Sequence, residues 1–283
     1  MKLGLMEFGL GGAGALVRVS CETQGMTWPS ILFLPEHHYD YRIWDDIPAS
    51  LGGNGQVVLY DQHEPMPWAE LAGPVFLGAV RRLAPDQCFD VVAAAGEAAR
   101  LAFSVASAGL AKGVVFFQPN PDRHLEEAMV DLPAYDPLEA AGWIAPVLEA
   151  LHEPDPARRR EMVVEAWRDR YGPHLAAGDL ELACQVIGDH TEELLASVKD
   201  VAANAEAGED ISWPSPPWID RLGEIDIPVT VVVSKLALGM GRAVARRARE
   251  GQVIEAQAHT DLVWLEDRAA AVTALRHMLD RHS

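Results

Sequence analysis

Val91-Val92-Ala93-Ala94-Ala95-Gly96-Glu97-Ala98-Ala99-Arg100-Leu101-Ala102 is where the fold is read. From Asp90 to Ala95 the residues behind the aspartate are continuously apolar, with no polar alternation, so a strand here is covered on both faces. The next residues are small and lead into a helix-forming stretch, so strand, tight turn and helix follow one another directly. The same grammar recurs on both sides, with strand-like runs over Ile31 to Leu34, Gln56 to Tyr60, Val114 to Phe117, Val229 to Val233 and Val253 to Ala256. Buried strands alternating with helical stretches predict an α/β chain with a mostly parallel sheet.

Between Gln118 and Ile227 the strand signal stops. Helical stretches replace it, over Pro137 to Leu151, Pro156 to Tyr171, Leu180 to Ile187 and Thr191 to Ala207, and prolines such as Pro133, Pro154, Pro173 and Pro214 punctuate the block. The expected organisation is a core made of residues 1–118 and 228–283, carrying residues 119–227 as a helical lid.

The 283 residues, 49% of them hydrophobic, with 8 Trp, suffice for one substantial core and exclude a disordered chain. Cys21, Cys88 and Cys184 are odd in number and far apart, which predicts neither a disulfide framework nor a zinc spacing. A net charge of −19 opposes binding to phosphate backbones and anionic lipid. Apolar runs such as Val229 to Val233 are strand-sized, well short of the roughly 20 residues of a membrane helix. The N-terminus has one Lys, an early Glu7 and no clear cleavage site, so a cytoplasmic protein is expected. Its partners are expected to be a small-molecule substrate, with no nucleic acid and no membrane; a homodimer is allowed.

Gly9-Leu10-Gly11-Gly12-Ala13-Gly14 has the G-x-G-x-x-G spacing. As a dinucleotide fingerprint it requires a helix starting at about Gly12, with Glu36 near the position of the ribose acid. As a hairpin it joins Lys2 to Phe8 with Leu16 to Cys21, and the alternation of Val17, Val19 and Thr23 with Arg18, Ser20 and Glu22 favours this second reading.

Three further segments carry a resemblance: Leu34-Pro35-Glu36-His37-His38-Tyr39-Asp40-Tyr41-Arg42-Ile43-Trp44, Val57-Val58-Leu59-Tyr60-Asp61, and Ala258-His259-Thr260-Asp261-Leu262-Val263-Trp264-Leu265-Glu266-Asp267. Taken in order, they resemble the α/β-hydrolase fold over nearly the whole chain. The resemblance implies a mostly parallel eight-stranded sheet with an inserted lid, and places the family's catalytic histidine at His259.

That family holds its nucleophile on a G-x-S-x-G turn after a central strand. Here the position falls among Ala95, Gly96, Glu97 and Ala98, none of which is Ser, Cys or Asp; the first hydroxyl is Ser104, about two turns into the helix. Where the family has an acid after Val229 to Val233, this chain reads Ser234-Lys235-Leu236, leaving Asp122 as a substitute. The family's His-Gly is replaced by Pro35-Glu36, and a carboxylate there is hostile to a developing oxyanion.

Two catalytic candidates follow. His259 suits proton transfer near neutrality. Glu97 should stand above the sheet edge as base or acid, or more remotely as a carboxylate nucleophile of the kind that epoxide- and halide-opening relatives use with Asp, or alternatively only offset a helix dipole. Glu36, His37 and His38 line the pocket or form solvated surface. Gly96, Trp143 and Trp167 complete the expected substrate-binding set, although lid aromatics such as Trp167, Tyr171 and Trp213 also serve plain packing. The spacing of His37, His38, His63 and His259 matches no metal-ligand set, and neither metal nor cofactor is expected. The expected function is non-covalent general acid–base chemistry on an apolar small molecule: cyclisation, elimination, isomerisation or attack by activated water. The alternatives are a catalytically silent binding module or, on the N-terminal glycines, a nucleotide-dependent oxidoreductase.

Overall fold

The computed structural model describes residues 15–20, 30–36, 38–44, 46–51, 56–62, 74–83, 88–120, 145–206 and 217–281. Among them, seven strands form one sheet in the order β1-β3-β2-β4-β5-β6-β7. The strands are β1 Ala15–Ser20, β2 Ser30–Leu34, β3 Gln56–Gln62, β4 Val91–Ala95, β5 Val114–Phe117, β6 Pro228–Ser234 and β7 Glu250–Ala256. All neighbouring pairs are parallel except β1 with β3, which run antiparallel from Ala15 opposite Gln62 to Ser20 opposite Val57.

A strand at Ala15–Ser20 overturns the dinucleotide reading, because the residues that would continue a phosphate-binding helix are extended and paired with β3. Lys2 to Phe8, where an eighth strand was expected, lies outside the described residues.

Period-two alternation sends successive residues of each central strand into different layers. Leu32, Leu34, Val92, Ala94 and Phe116 pack on one side with the helices α1 (Pro74–Leu83), α2 (Ala99–Ser107) and α6 (Leu238–Arg247). Ile31, Phe33, Val91, Ala93 and Phe117 pack on the other with α3 (Pro156–Tyr171), α4 (Ala177–Asp189), α5 (Thr191–Glu206) and α7 (Arg268–Asp280). Covering helices on both faces explain why the strands read as unbroken apolar runs.

Between β5 and β6 the described elements are all helices, 145–150, α3 to α5 and a short turn of helix at Trp218–Glu224. Helix α3 starts where Asp155 accepts a hydrogen bond from the Ala157 amide at 3.0 Å with Pro156 behind it, a start legible in the sequence. A network running from buried Asp40 and His190 out to exposed Asp189 joins these helices to the loop after β2. Asp40 accepts from Arg42 Nε at 2.8 and 3.0 Å and lies 3.2 Å from His190 Nε2, while Arg42 reaches Asp189 at 2.9 Å.

Candidate functional site

The parallel strands deliver their following loops to one edge of the sheet, the edge where ligands bind in open α/β sheets. Glu36 follows β2, Gly96 and Glu97 follow β4, Gln118 and Asn120 follow β5, Ser234 ends β6, and the loop from Ala258 to Asp261 follows β7.

At the end of β4 the backbone changes hand within a residue. Ala95 is extended (φ −102°, ψ 141°), Gly96 has φ +53°, and Ala98 is already helical at φ −64°. A left-handed residue followed at once by helix is a strained turn, and glycine takes it without the steric cost of a β-carbon. The space beside Gly96 is filled from elsewhere: a β-carbon built there would stand 2.6 Å from Glu36 Cδ and 2.7 and 2.9 Å from its two carboxyl oxygens. The Glu36 carboxyl therefore rests against the α-carbon of Gly96, with His38 Nε2 3.8 Å from Oε2.

Glu36 holds its proton far more tightly than an ordinary glutamic acid. Burial is the main cause, the negative charges of Glu97 and Asp261 add to it, and Arg170 offsets only part. Glu97 is half-buried, and Asn120 Nδ2 donates to its Oε1 at 3.4 Å.

Helix α3 closes one side of the cluster with its last turn. The Tyr171 hydroxyl donates to Asp261 Oδ1 at 2.9 Å, Arg170 lies 3.4 Å from the same oxygen, and Trp167 Nε1 donates to the Tyr39 hydroxyl at 2.9 Å. Burial also pushes the Tyr39 and Tyr171 phenols up, with Asp261 the next contributor to each, so both stay protonated and able to donate. His259 sits on the β7 loop. Its backbone amide donates to Glu266 Oε1 at 2.8 Å, and its exposed ring stacks on His174 with centroids 5.5 Å apart.

Of the residues expected from sequence, Glu36, His38, Gly96 and Glu97 come together at this edge; Trp167 is buried behind Tyr39, and His259 stands at the rim on its partner ring. His37, Trp143 and the substitute acid Asp122 lie outside the described residues. Ser104 Oγ donates to the Arg100 carbonyl of its own helix at 3.0 Å. Ser234 is buried, and Lys235, one residue on, is exposed. Sequence reading passed over Tyr39, Arg170 and Asp261. Tyr39 and Asp261 lie inside the quoted motifs, but a lone tyrosine or aspartate announces no partner until the chain brings one to it.

Solved structures supply the comparison. The enol-lactonase from Burkholderia xenovorans superposes with a TM-score of 0.63 at 17% identity, over 97% of this chain and 100% of that one. An esterase from Rhodococcus reaches 0.66 at 14% identity over 99% of each chain. The chain has the α/β-hydrolase fold. A haloalkane dehalogenase from Bradyrhizobium elkanii, with a TM-score of 0.62 at 14% identity over 99% of this chain and 97% of that one, shares it. No family model matches the sequence, and no curated protein matches it either. Within the α/β-hydrolase fold, the Glu36, Gly96, Glu97 and Asp261 cluster lies at the edge where the parallel strands end, and the last turn of α3 reaches it through Tyr171. Among the described residues no helix is long and apolar enough to cross a membrane, and no group of three or more His, Cys, Asp or Glu could hold a metal ion.

Proposed function

We propose that this protein is a hydrolase-like enzyme that works on an apolar small molecule without a covalent intermediate, moving protons with side chains at the C-terminal edge of its sheet. One observation carries the reading. Gly96 stands on the sharp turn from β4 into α2, at φ +53°, where the fold's hydrolases keep their nucleophile, and the Glu36 carboxyl fills the space a side chain there would need. Acyl transfer requires an oxygen or sulfur nucleophile at that point, and a hydrogen atom closes the covalent route.

What the cluster supports is acid–base chemistry: isomerisation, elimination, cyclisation, or hydrolysis by an activated water. Glu97 and His259 are the proton carriers in this reading, while Glu36, His38 and Gly96 shape the floor on which the substrate rests. The buried rings of Tyr39, Trp167 and Tyr171 behind the cluster suit an apolar substrate.

A fluorophosphonate reagent tests the reading directly. The wild-type protein stays unlabelled; stoichiometric labelling of any residue near position 96 would show that a nucleophile stands there after all. On any small ester, lactone or ketone that the protein turns over, His259→Ala and Glu97→Gln each lower turnover by about 10²-fold. Unchanged turnover in both removes the assigned proton carriers.

The exposed His259 ring, stacked on His174 among the described residues, favours a second reading: a silent module that binds a ligand in the same cleft. In that case the variants change affinity and no turnover is found.

A further inference from the structure

We propose that the carboxylic acid of Glu36 donates a hydrogen bond to the oxygen of an enolising carbonyl substrate, while Glu97 takes the proton from the adjacent carbon. The proposal rests on the non-covalent reading above and narrows it to one substrate class: neutral ketones, esters or lactones with a proton α to the carbonyl.

The geometry separates the roles of the two glutamates. The Glu36 carboxyl lies against the α-carbon of Gly96, within 2.6 to 2.9 Å of where a side chain would start, so it reaches the centre of the site from a neighbouring loop. Its charged and titratable surroundings are Glu97, Asp261, Arg170, Tyr39 and, at 3.8 Å, His38. Asp261 already has partners, the Tyr171 hydroxyl at 2.9 Å and Arg170 at 3.4 Å. The Glu36 carboxyl rests on Gly96, the chain neighbour of Glu97, and the charge of Glu97 raises the cost of ionising Glu36, since neighbouring carboxyl groups do not both ionise cheaply. Glu36, pressed against Gly96, is the group these surroundings keep protonated, and Glu97, half-buried and accepting from the Asn120 amide at 3.4 Å, is assigned as the base.

That division reverses what the sequence says about position 36. A carboxylate beside a developing oxyanion repels it, whereas a carboxylic acid there donates to it and stabilises it. In the step itself, a Glu97 carboxylate oxygen forms a bond to the α-hydrogen and the C–H bond breaks. Its electron pair becomes the new C=C bond, and the carbonyl π pair moves onto oxygen, which accepts the Glu36 O–H. Return of the proton from Glu97 to the same carbon gives exchange, and in a β,γ-unsaturated carbonyl, whose enolate is conjugated, return to the γ-carbon shifts the double bond and completes an isomerisation, with no oxidant, reductant or other reactant consumed.

The probe is 4-nitrophenol, whose phenolate mimics an enolate and reports its ionisation by absorbance. Wild-type protein binds the phenolate, and binding weakens as pH rises and Glu36 loses its proton. Glu36→Gln keeps an N–H donor of the same shape, so it holds affinity within about threefold and loses that pH dependence, while Glu36→Ala weakens binding about tenfold or more. Ionisation of the probe itself is read in Glu36→Gln and is common to both proteins. If Glu36→Gln binds as weakly as Glu36→Ala, or Glu36→Ala binds as tightly as wild type, the donor role is wrong.

Deuterium exchange into cyclohexanone, followed by NMR, tests the base. Wild type accelerates exchange, and Glu97→Gln abolishes the acceleration while binding the phenolate at least as tightly, because a negative charge beside it is gone; no acceleration by wild type, or full acceleration by Glu97→Gln, overturns the assignment. Fluorophosphonate labelling would instead sink the non-covalent reading as a whole, so the two failures are told apart.

Discussion

Gly96 and Glu36 are a matched pair, and neither explains itself alone. A β-carbon at position 96 meets both a left-handed backbone at φ +53° and a carboxyl carbon at 2.6 Å. Gly96→Ala is therefore expected to lower the free energy of unfolding by about 2 kcal/mol. Glu36→Ala in the same chain removes the collision but leaves the backbone strain. Urea denaturation of the single and double variants should give a clearly non-additive cycle, and strict additivity would mean that the two residues do not share the space.

Glu36 also has a pH signature. Its folded-state pKa lies well above the ordinary 4.5, so the penalty of burying it is absent below pH 4.5, where both states are protonated. It grows as pH rises and the unfolded chain ionises first, then levels off above the folded-state pKa. Glu36→Gln should thus change stability little at acid pH and stabilise the protein at neutral and alkaline pH. A constant difference across that range would contradict the buried, proton-holding carboxyl.

At the scale of elements, the loop after β2 has two ends with two tasks. Glu36 enters the site, and four residues later Asp40 fastens the loop to the helices that follow β5, through Arg42 and His190. Hydrogen bonds from His190 and Arg42 outweigh the burial of Asp40 and lower its pKa from 3.8 to about 2. Because the folded-state value is the lower one, the contribution is complete above pH 3.8 and disappears as pH falls through about 2. Asp40→Asn is expected to cost about 2 kcal/mol at neutral pH, and the difference from wild type should shrink as pH falls below 4. Denaturation curves at several pH values check this. The Arg42-Ile43-Trp44 motif was legible as a segment, but its role as an anchor was not. Asp189 and His190 come from the far end of α4, and no local pattern ties residues 40 and 190 together.

For the molecule as a whole, a net charge of −19 sets the long-range field. The protein should pass through a heparin column unretained at low salt, where the Debye length is longest and any basic patch would be most visible. Retention would mean that a local positive surface outweighs the total. The same composition and the unbroken apolar strands made the α/β class readable, because a parallel sheet must be covered on both faces and its sequence records that directly. The glycine-rich N-terminus shows the limit of a motif by itself: G-x-G-x-x-G gains meaning only from the element after it, and Ala15–Ser20 is a strand.

By itself, the sequence determined the order of strands and helices, the starts of capped helices such as α3, and the small residues that let β4 turn sharply into α2. These are local matters, decided by backbone preference and by which faces must be buried. Only the tertiary structure decided that position 96 is the left-handed residue, that the Glu36 carboxyl lies over it, and that Tyr171 and Arg170 share Asp261. The field felt by a buried carboxyl is a sum over groups far apart in the chain, so no window of sequence contains it.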